Sequence, residues 1–485
     1  MSMKEDLIGI FGEKNVFDDE ETLKKYSSDQ SFEDPQMPDL LVFAQNVEQV
    51  QKVVKLANQK GVPVVPFSSG LNLHGAAIPK KGGIILNLSK MNRIIDIDKD
   101  NWLVVIEPGV TFSQLQDELE KKGLRAMIPF GAHPDRSALT SWVERDQPLA
   151  SASFEYGNDL LMDTEIVLPD GELFKTGLWS AGGKPGSPMG PVRSMLYRFW
   201  SAAQGTMGII TKACFKVEYL PADRKVYALQ FESFKDVIEP LKTIQHSEIG
   251  LECFLLNHFN MASLFSLNWQ VPDVFPAQQT SSNEFESLRD RVPLWTLIIC
   301  LNGALELGAE KIAYQKDVLQ KISSKMSLIP YKVTDKEDFL LKEMLRPWNI
   351  LKKFCFRGAV HDLSFKAPLK RVPEFQKIIT ETAKKYDYPV EDIGSYILPV
   401  ERCRAVHCEF DLHCNPDNPD EKDRIKRLWL EASEQLIEAG AFFDRPYGAW
   451  AEMMYSRTGE YTNKLKELKK ELDPNNIFNP GHLCF

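Results

Sequence analysis

Residues 66–79 read Pro-Phe-Ser-Ser-Gly-Leu-Asn-Leu-His-Gly-Ala-Ala-Ile-Pro and lie between two apolar runs, 62–65 and 84–88. Gly70, Gly75 and the small side chains of Ser68, Ser69, Ala76 and Ala77 let a backbone approach a ligand closely. Successive N–H groups in such a turn form a concave anion site that needs no lysine. The chemistry suggested is phosphate binding, although a Gly/Ser/Pro cluster between strands is also an ordinary loop. A second concentration of reactive groups lies at 403–414. With a strand period of two, His407, Glu409, Asp411 and His413 share one face, while Arg404, Val406, Cys408, Phe410 and Leu412 share the other. The polar set could hold a divalent ion. Alternate residues of an extended strand stand ~6.5–7 Å apart, so one strand seldom supplies all the ligands, though two with another element could.

The scaffold around these groups changes character at Pro221. Up to that point short β-rich runs alternate with amphipathic helix patterns such as Val47-Glu-Gln-Val-Gln-Lys-Val-Val-Lys-Leu-Ala, which gives an α+β region. A long irregular loop at 179–191 precedes an apolar helix at 195–203. Beyond Pro221 strands are expected at 226–231, 295–302, 394–398 and 404–412, with helices at 234–244, 305–323, 373–386 and 423–439. This order suggests an antiparallel sheet covered by helices. Residues 5–35 read as a peripheral arm.

A chain of 485 residues implies two or three domains, because single cores rarely grow past ~250–300 residues. No run approaches the ~20 apolar residues of a membrane span, and the start Met-Ser-Met-Lys-Glu-Asp-Leu is no secretory signal. A cytoplasmic protein is expected. The net charge of −10 argues against nonspecific nucleic-acid binding, which relies on a basic field. None of the 8 cysteines forms a C-x-x-C pair, so buried thiols are expected, and any iron–sulfur or haem relay would sit on another subunit.

Several further segments give the loop at 66–79 its context. In order they are Gly83-Ile-Ile-Leu-Asn-Leu, Val104-Val-Ile-Glu-Pro-Gly-Val-Thr, Leu115-Gln-Asp-Glu-Leu, Tyr156-Gly-Asn-Asp, Glu165-Ile-Val-Leu-Pro-Asp-Gly-Glu, Gln204-Gly-Thr-Met-Gly-Ile-Ile-Thr-Lys and Leu472-Asp-Pro-Asn-Asn-Ile-Phe-Asn-Pro-Gly. At these spacings the set resembles the flavin-binding domain of the vanillyl-alcohol oxidase and p-cresol methylhydroxylase (PCMH) superfamily, over residues 35–221 and 440–481. The resemblance implies a two-domain α+β PCMH-type fold with an arm at 1–34 and an FAD-binding domain at 35–221. A cap domain with an antiparallel sheet covered by helices then spans 222–440, and a segment at 441–485 returns to the flavin.

By the same resemblance the FAD cradle comprises Ser68, Ser69, Gly70, Leu71, Asn72, Leu73 and His74. A second flavin-contacting loop carries Ser137, Thr140, Ser141 and Glu144, and Gly208, Ile210 and Asn479 complete the cofactor set. The glycine run that normally precedes the serine is replaced by Pro134-Asp-Arg, so Arg136 either supplies a charge to the cofactor or is exposed. Asp135 matches a carboxylate near flavin N5, where it could act as a base; it is equally placed to be a helix N-cap. His361, in Arg357-Gly-Ala-Val-His, resembles the histidine that carries a covalent flavin, or is structural. His74 is a second flavin-proximal candidate.

The resemblance places Ser395, Ile397, Arg404, Val406 and Cys408 towards the substrate, with the face of His407, Glu409, Asp411 and His413 turned away as a solvated or hydrogen-bonded surface. A bulge would reverse this. Met453 and Met454 stand where phenol-oxidising relatives place a tyrosine and an arginine, with Tyr455 and Arg457 near enough to substitute. Arg445 and Tyr447 are further anion or aromatic contacts. The expected activity is hydride transfer to FAD from an alcohol or alkyl-aromatic substrate. One alternative is a D-2-hydroxy-acid dehydrogenase, in which Arg404 would hold the carboxylate. Another is the flavin subunit of an electron-transfer complex with a cytochrome or iron–sulfur partner. A homodimer or hetero-oligomer is expected. The His-x-Gly-Asp-Gly-Asn-x-His and Gly-Glu-His-Gly motifs of the hydroxy-acid enzymes do not occur.

Overall fold

The computed structural model describes residues 2–71, 73–150, 160–184 and 196–485. Three parallel strands, Leu40–Phe43, Ile84–Asn87 and Val64–Phe67, form the heart of a first sheet, and Val16–Phe17 adds antiparallel to its edge. Helix Val47–Lys60 makes the crossover that the parallel pairing requires. The Asn46 side chain caps its first turn, Gly61 ends it at φ +63°, and Val50, Val53, Val54 and Ala57 bury one face. The loop at 66–79 leaves the end of Val64–Phe67 beside this core.

A second sheet is antiparallel, in the order Ile94–Asp98, Leu103–Ile106, Ile209–Lys216, Leu161–Val167, Leu173–Lys175. The C-terminal segment closes onto the first: Val64 N–H donates to Ile477 O (2.7 Å) and Asn479 N–H to Val64 O (3.0 Å). Ile477 and Phe478 join that sheet's apolar core.

The cap is a seven-stranded sheet in the order Ile329–Pro330, Arg224–Phe231, Trp295–Asn302, Glu252–Asn257, Gly394–Val400, Ala405–Cys414, Ala359–Ala367, every neighbour antiparallel. Helices Phe234–His246, Gly308–Met326, Val372–Lys385 and Pro419–Glu438 bury one face of it. The expected α+β class and helix-covered cap sheet are present, with helix and strand ends displaced by a few residues. Of the segments singled out in the sequence, Tyr156-Gly-Asn-Asp and residues 185–195 lie outside the described residues. The helix expected at 195–203 spans Tyr197–Trp200.

The N-terminal arm is not peripheral. Asp29 accepts the Gly75 N–H at 2.7 Å, Gln30 accepts the Val360 N–H at 3.2 Å, and Phe32 stacks on His361 with ring centroids 3.8 Å apart. The arm therefore touches both the phosphate-type loop and the cap sheet.

Candidate active site

Three cavities adjoin one another, one within the first domain and two where the cap sits on it. The first is lined by Ser68, Ser69, Gly70, Arg136, Thr140, Glu144, Gly208 and Ile210, with Gly205, Gln204 and the arm residues Lys25, Tyr26 and Asp29. Hydrogen bonds fix its rim. Ser68 Oγ and Thr140 Oγ1 share one of 2.9 Å, and Ser69 Oγ accepts the Ser137 N–H at 3.1 Å. The two loops expected to contact flavin are thus tied directly to each other.

The cradle is made of positions where a side chain does not fit. A Cβ on Gly70 would lie 2.4 Å from the Phe67 ring, on Gly205 2.3 Å from Pro66, and on Gly208 2.7 Å from Ile166. Gly70 and Gly205 also have φ of +71° and +68°, the left-handed region that glycine enters without a Cβ penalty. The cavity combines bare backbone, hydroxyls and one arginine. These residues fit an extended dinucleotide such as FAD.

Arg136 also lines a second cavity of about 890 Å³, between the domains. Its first-domain wall carries Leu73, His74, Phe130, Arg136, Asp146 and Gln147, and its cap wall carries Lys353, Phe354, Tyr396, His407, Glu409 and Asp411, with Arg445 from the C-terminal segment. Asp146 is paired with Arg445 and with Arg136 (2.5 Å), and accepts a hydrogen bond from Ser141 Oγ (2.6 Å). Burial works to raise the Asp146 carboxyl, but the two guanidinium groups outweigh it and hold it low. Next to it Tyr447 O–H and Gln204 N–H donate to Glu144 at 2.9 and 3.2 Å. Burial lifts the Glu144 carboxyl to about 7, with the Asp146 charge adding to the effect.

On the cap wall Lys353 Nζ lies 2.8 Å from both Glu409 and Asp411. Burial raises the Asp411 carboxyl, whereas the Lys353 and His407 contacts keep Glu409 low in spite of burial. His407 Nε2 is 3.9 Å from Glu409. The strand therefore faces the opposite way from the sequence expectation. His407, Glu409 and Asp411 look into the interdomain cavity, while Ile397, Val406 and Cys408 lie in the core under the cap helices. The reason is physical: the apolar face needs the helices, and Lys353 neutralises the polar face so that it can be buried. His413 belongs to the polar face but packs on Phe259, ring centroids 4.5 Å apart.

Other expectations are redistributed. Arg404 sits at the hairpin turn with its side chain 80% exposed, paired with Glu401, and lines none of the three cavities. The carboxylate-holding role expected of it has no geometric basis. Asp135 is exposed because its N–H turns back to His133 Nδ1 (3.1 Å), leaving its carboxylate outside the cavities. Tyr455 ends helix Ala449–Tyr455, near Cys484, and Met453 and Met454 pack on the cap core. His361 is buried against Phe32 with Nε2 3.4 Å from Cys414 Sγ, and burial lowers it to about 3. It lines a third cavity of about 820 Å³ with Trp429, Tyr447 and Trp450, not the cradle. Leu73 and His74 line the second and third cavities; Leu71 lines none of the three, and Asn72 lies outside the described residues.

Ser137, Ser141 and Asn479 are buried supports. Asn479 Nδ2 donates to Ala76 O (2.9 Å) and Gln204 O (2.7 Å), joining two cradle loops. Nothing local in the sequence singles out Lys353, Gln147, Tyr396 or the arm residues. Lys353 lies far along the chain from the strand it serves, and only the even spacing of His407, Glu409 and Asp411 signalled that a counter-charge was needed.

A fold of this kind, with a glycine-lined dinucleotide cradle opening beneath a cap sheet, defines a flavoprotein oxidoreductase. The FAD binding domain family matches residues 38–177 and the FAD linked oxidases C-terminal domain family matches residues 360–483. Across 99% of the chain and 96% of the relative, it is 25% identical to the glycolate oxidase subunit GlcD of Bacillus subtilis (strain 168). It is 26% identical to the 4-cresol dehydrogenase [hydroxylating] flavoprotein subunit of Pseudomonas putida, over 92% of the chain and 87% of the relative. The crystal structure of p-cresol methylhydroxylase with substrate bound superposes with a TM-score of 0.81 at 20% identity, over 99% and 96% of the two chains. The chain belongs to the PCMH-type FAD-binding superfamily of FAD-linked oxidases and dehydrogenases, and its cofactor is FAD.

Proposed function

We propose that the protein oxidises an uncharged alcohol or alkyl-aromatic substrate in the interdomain cavity and passes the electrons to a separate acceptor. The observation that carries this reading is the polar face of the strand Ala405–Cys414, turned towards Arg136 and Asp146 across that cavity. When bound, FAD supplies N5 as hydride acceptor. Ser68, Ser69, Gly70, Thr140 and Gly208 would hold the cofactor, and Arg136, on the wall of both cavities, would offer its charge to cofactor and substrate alike. His407 takes the proton of a substrate hydroxyl, and Glu409 stabilises the imidazolium that results. Phe130, Ile350, Leu351 and Phe354 enclose the substrate body and exclude water.

The charge pattern favours this over a 2-hydroxy acid. The cavity cations Lys353, Arg136 and Arg445 are each already engaged by a carboxylate, and Arg404 lies outside. The 4-cresol relative is the flavoprotein subunit of its enzyme, which supports an acceptor on a second chain. The test is anaerobic bleaching of bound FAD by benzylic alcohols, alkylphenols, aliphatic alcohols and 2-hydroxy acids. Bleaching by an uncharged alcohol or alkylphenol is expected. Faster bleaching by a 2-hydroxy acid would replace this reading.

A further inference from the structure

Two neutral polar side chains on the wall of the interdomain cavity have no hydrogen-bond partner within the protein. They are Gln147, with both Nε2 and Oε1 unpaired, and Tyr396, with its hydroxyl unpaired. Their residues are only 6% and 3% exposed, so solvent at the molecular surface does not satisfy them. Leaving a buried polar group without a partner is costly, and two of them lining one cavity are unlike the rest of its polar lining, where Lys353, Glu409, Asp411, Arg136, Asp146 and Arg445 are paired with one another. The two come from different domains and from the two walls of the cavity, with Phe130 between them. An isolated bridge pairs Pro129 with Pro148, which sets Gln147 beside Phe130, and the Phe130 ring lies 4.8 Å from the Tyr396 ring.

We propose that Gln147 and Tyr396 form a substrate subsite that selects an uncharged hydrogen-bonding substituent, a hydroxyl or a carboxamide, and rejects a carboxylate. The Gln147 amide offers both donors and an acceptor, and the Tyr396 phenol offers a donor. Burial, with the nearby Glu409 charge, keeps that phenol protonated. A hydroxyl or carboxamide satisfies both signs at once. A carboxylate satisfies only the donors and is repelled by Glu409, the cross-strand neighbour of Tyr396. Phe130 supplies a flat apolar surface between the two polar groups, suited to an aromatic or similarly planar substrate body.

The assignment rests on the proposed oxidation occurring in this cavity, and the experiment separates the two. Binding of benzyl alcohol, 4-(hydroxymethyl)benzamide, 4-hydroxybenzyl alcohol and 4-(hydroxymethyl)benzoate to the FAD-loaded protein is measured anaerobically by flavin difference spectra and by calorimetry, and reduction is followed separately. The carboxamide or the phenol should bind about tenfold or more tightly than the unsubstituted alcohol, and the benzoate more weakly than any. In Tyr396→Phe and Gln147→Leu, screened for full FAD content and unaltered melting, the ratio between substituted and unsubstituted alcohol should collapse towards one. A ratio unchanged in both variants, tightest binding by the benzoate, or no binding by any probe overturns the subsite. Loss of the ratio without flavin reduction by any probe would leave the subsite standing and overturn the oxidation instead. Should either variant lose FAD, Tyr396→Trp and Gln147→Glu supply the same comparison, the glutamate being expected to weaken the phenol and carboxamide alike.

Discussion

Tyr447 donates its hydroxyl to Glu144 at 2.9 Å across 303 residues of sequence, joining the returning C-terminal segment to the loop that lines the flavin cradle. Arg445, two residues earlier, pairs with Asp146, two residues after Glu144. The two strictures together clamp the seam between cradle and substrate cavity. They also put a proton-labile group in the seam, because Glu144 is buried and its carboxyl is raised to about 7.

Glu144 should make the flavin-free protein less stable as pH rises from about 4.5 to 7. In that window the unfolded chain has released the proton while the folded protein still holds it, so stability is fully present below the unfolded value of 4.5 and falls towards 7. The total is up to about 3 kcal/mol. Glu144→Gln copies the protonated form and should flatten this part of the profile in urea unfolding followed against pH. Tyr447→Phe removes a hydrogen bond that favours the ionised carboxylate and should extend the decline to higher pH. Identical profiles for wild type and Glu144→Gln would contradict the assignment.

Replacing Gly70 by valine should empty the cradle without unfolding the cap. At φ +71° a β-branched residue is strained by about 1–2 kcal/mol, and its Cβ would also meet the Phe67 ring at 2.4 Å. Gly61→Val stands in the left-handed region too, φ +63°, with nothing within 4 Å of the added Cβ. The purified Gly70 variant should lack the flavin absorbance that the Gly61 variant retains. Equal FAD content in the two would show that the loop does not shape the site.

The parts of this molecule that the sequence makes legible are those decided locally. Gly70 announces a tight loop because its conformation is its own, and the period-two pattern of 405–414 announces a strand because alternation is local. Which face of that strand meets the flavin domain is not local. It depends on helices Val372–Lys385 and Pro419–Glu438 covering Val406 and Cys408, and on Lys353 reaching Glu409 from 56 residues away. The arm is similar: nothing near Gln30 reveals that its side chain will accept the Val360 N–H, 330 residues on. Asp135 illustrates the converse. Its alignment is plausible, but a three-residue turn onto His133 sends the carboxylate to solvent.

Lys353→Met should be among the most damaging single changes in the cap. It leaves Glu409 and Asp411 as two carboxylates in a buried wall with no cation between them, and breaking a buried pair this way costs about 3–5 kcal/mol. The surviving carboxylates would then titrate above their unfolded values, so the variant should recover stability as pH falls. Its unfolding midpoint should approach that of the wild type near pH 5 and diverge from it near pH 8. A uniform deficit at both pH values would mean that lost packing, not uncompensated charge, is responsible.

Arg125 and Glu252 supply the strongest test of how the two domains are joined. Arg125 lies on the short strand Leu124–Arg125 of the first domain, Glu252 begins the cap strand Glu252–Asn257, and their side chains meet at 2.6 Å with 3% and 0% exposure. Glu252 also accepts from Asn302 Nδ2 (2.6 Å), and Arg125 donates to Met344 O (3.3 Å). Arg125 Nε and Nη1 nevertheless lack partners, so the pair is poorly compensated and its net worth should be small although its loss is costly. Arg125→Met is expected to destabilise by about 3–5 kcal/mol, and Arg125→Met with Glu252→Met to recover most of that loss. FAD content should stay at the wild-type level in the double variant, since neither residue lines any of the three cavities. A double variant no more stable than Arg125→Met would show that the pair holds the interface through specific hydrogen bonds that no apolar replacement can supply.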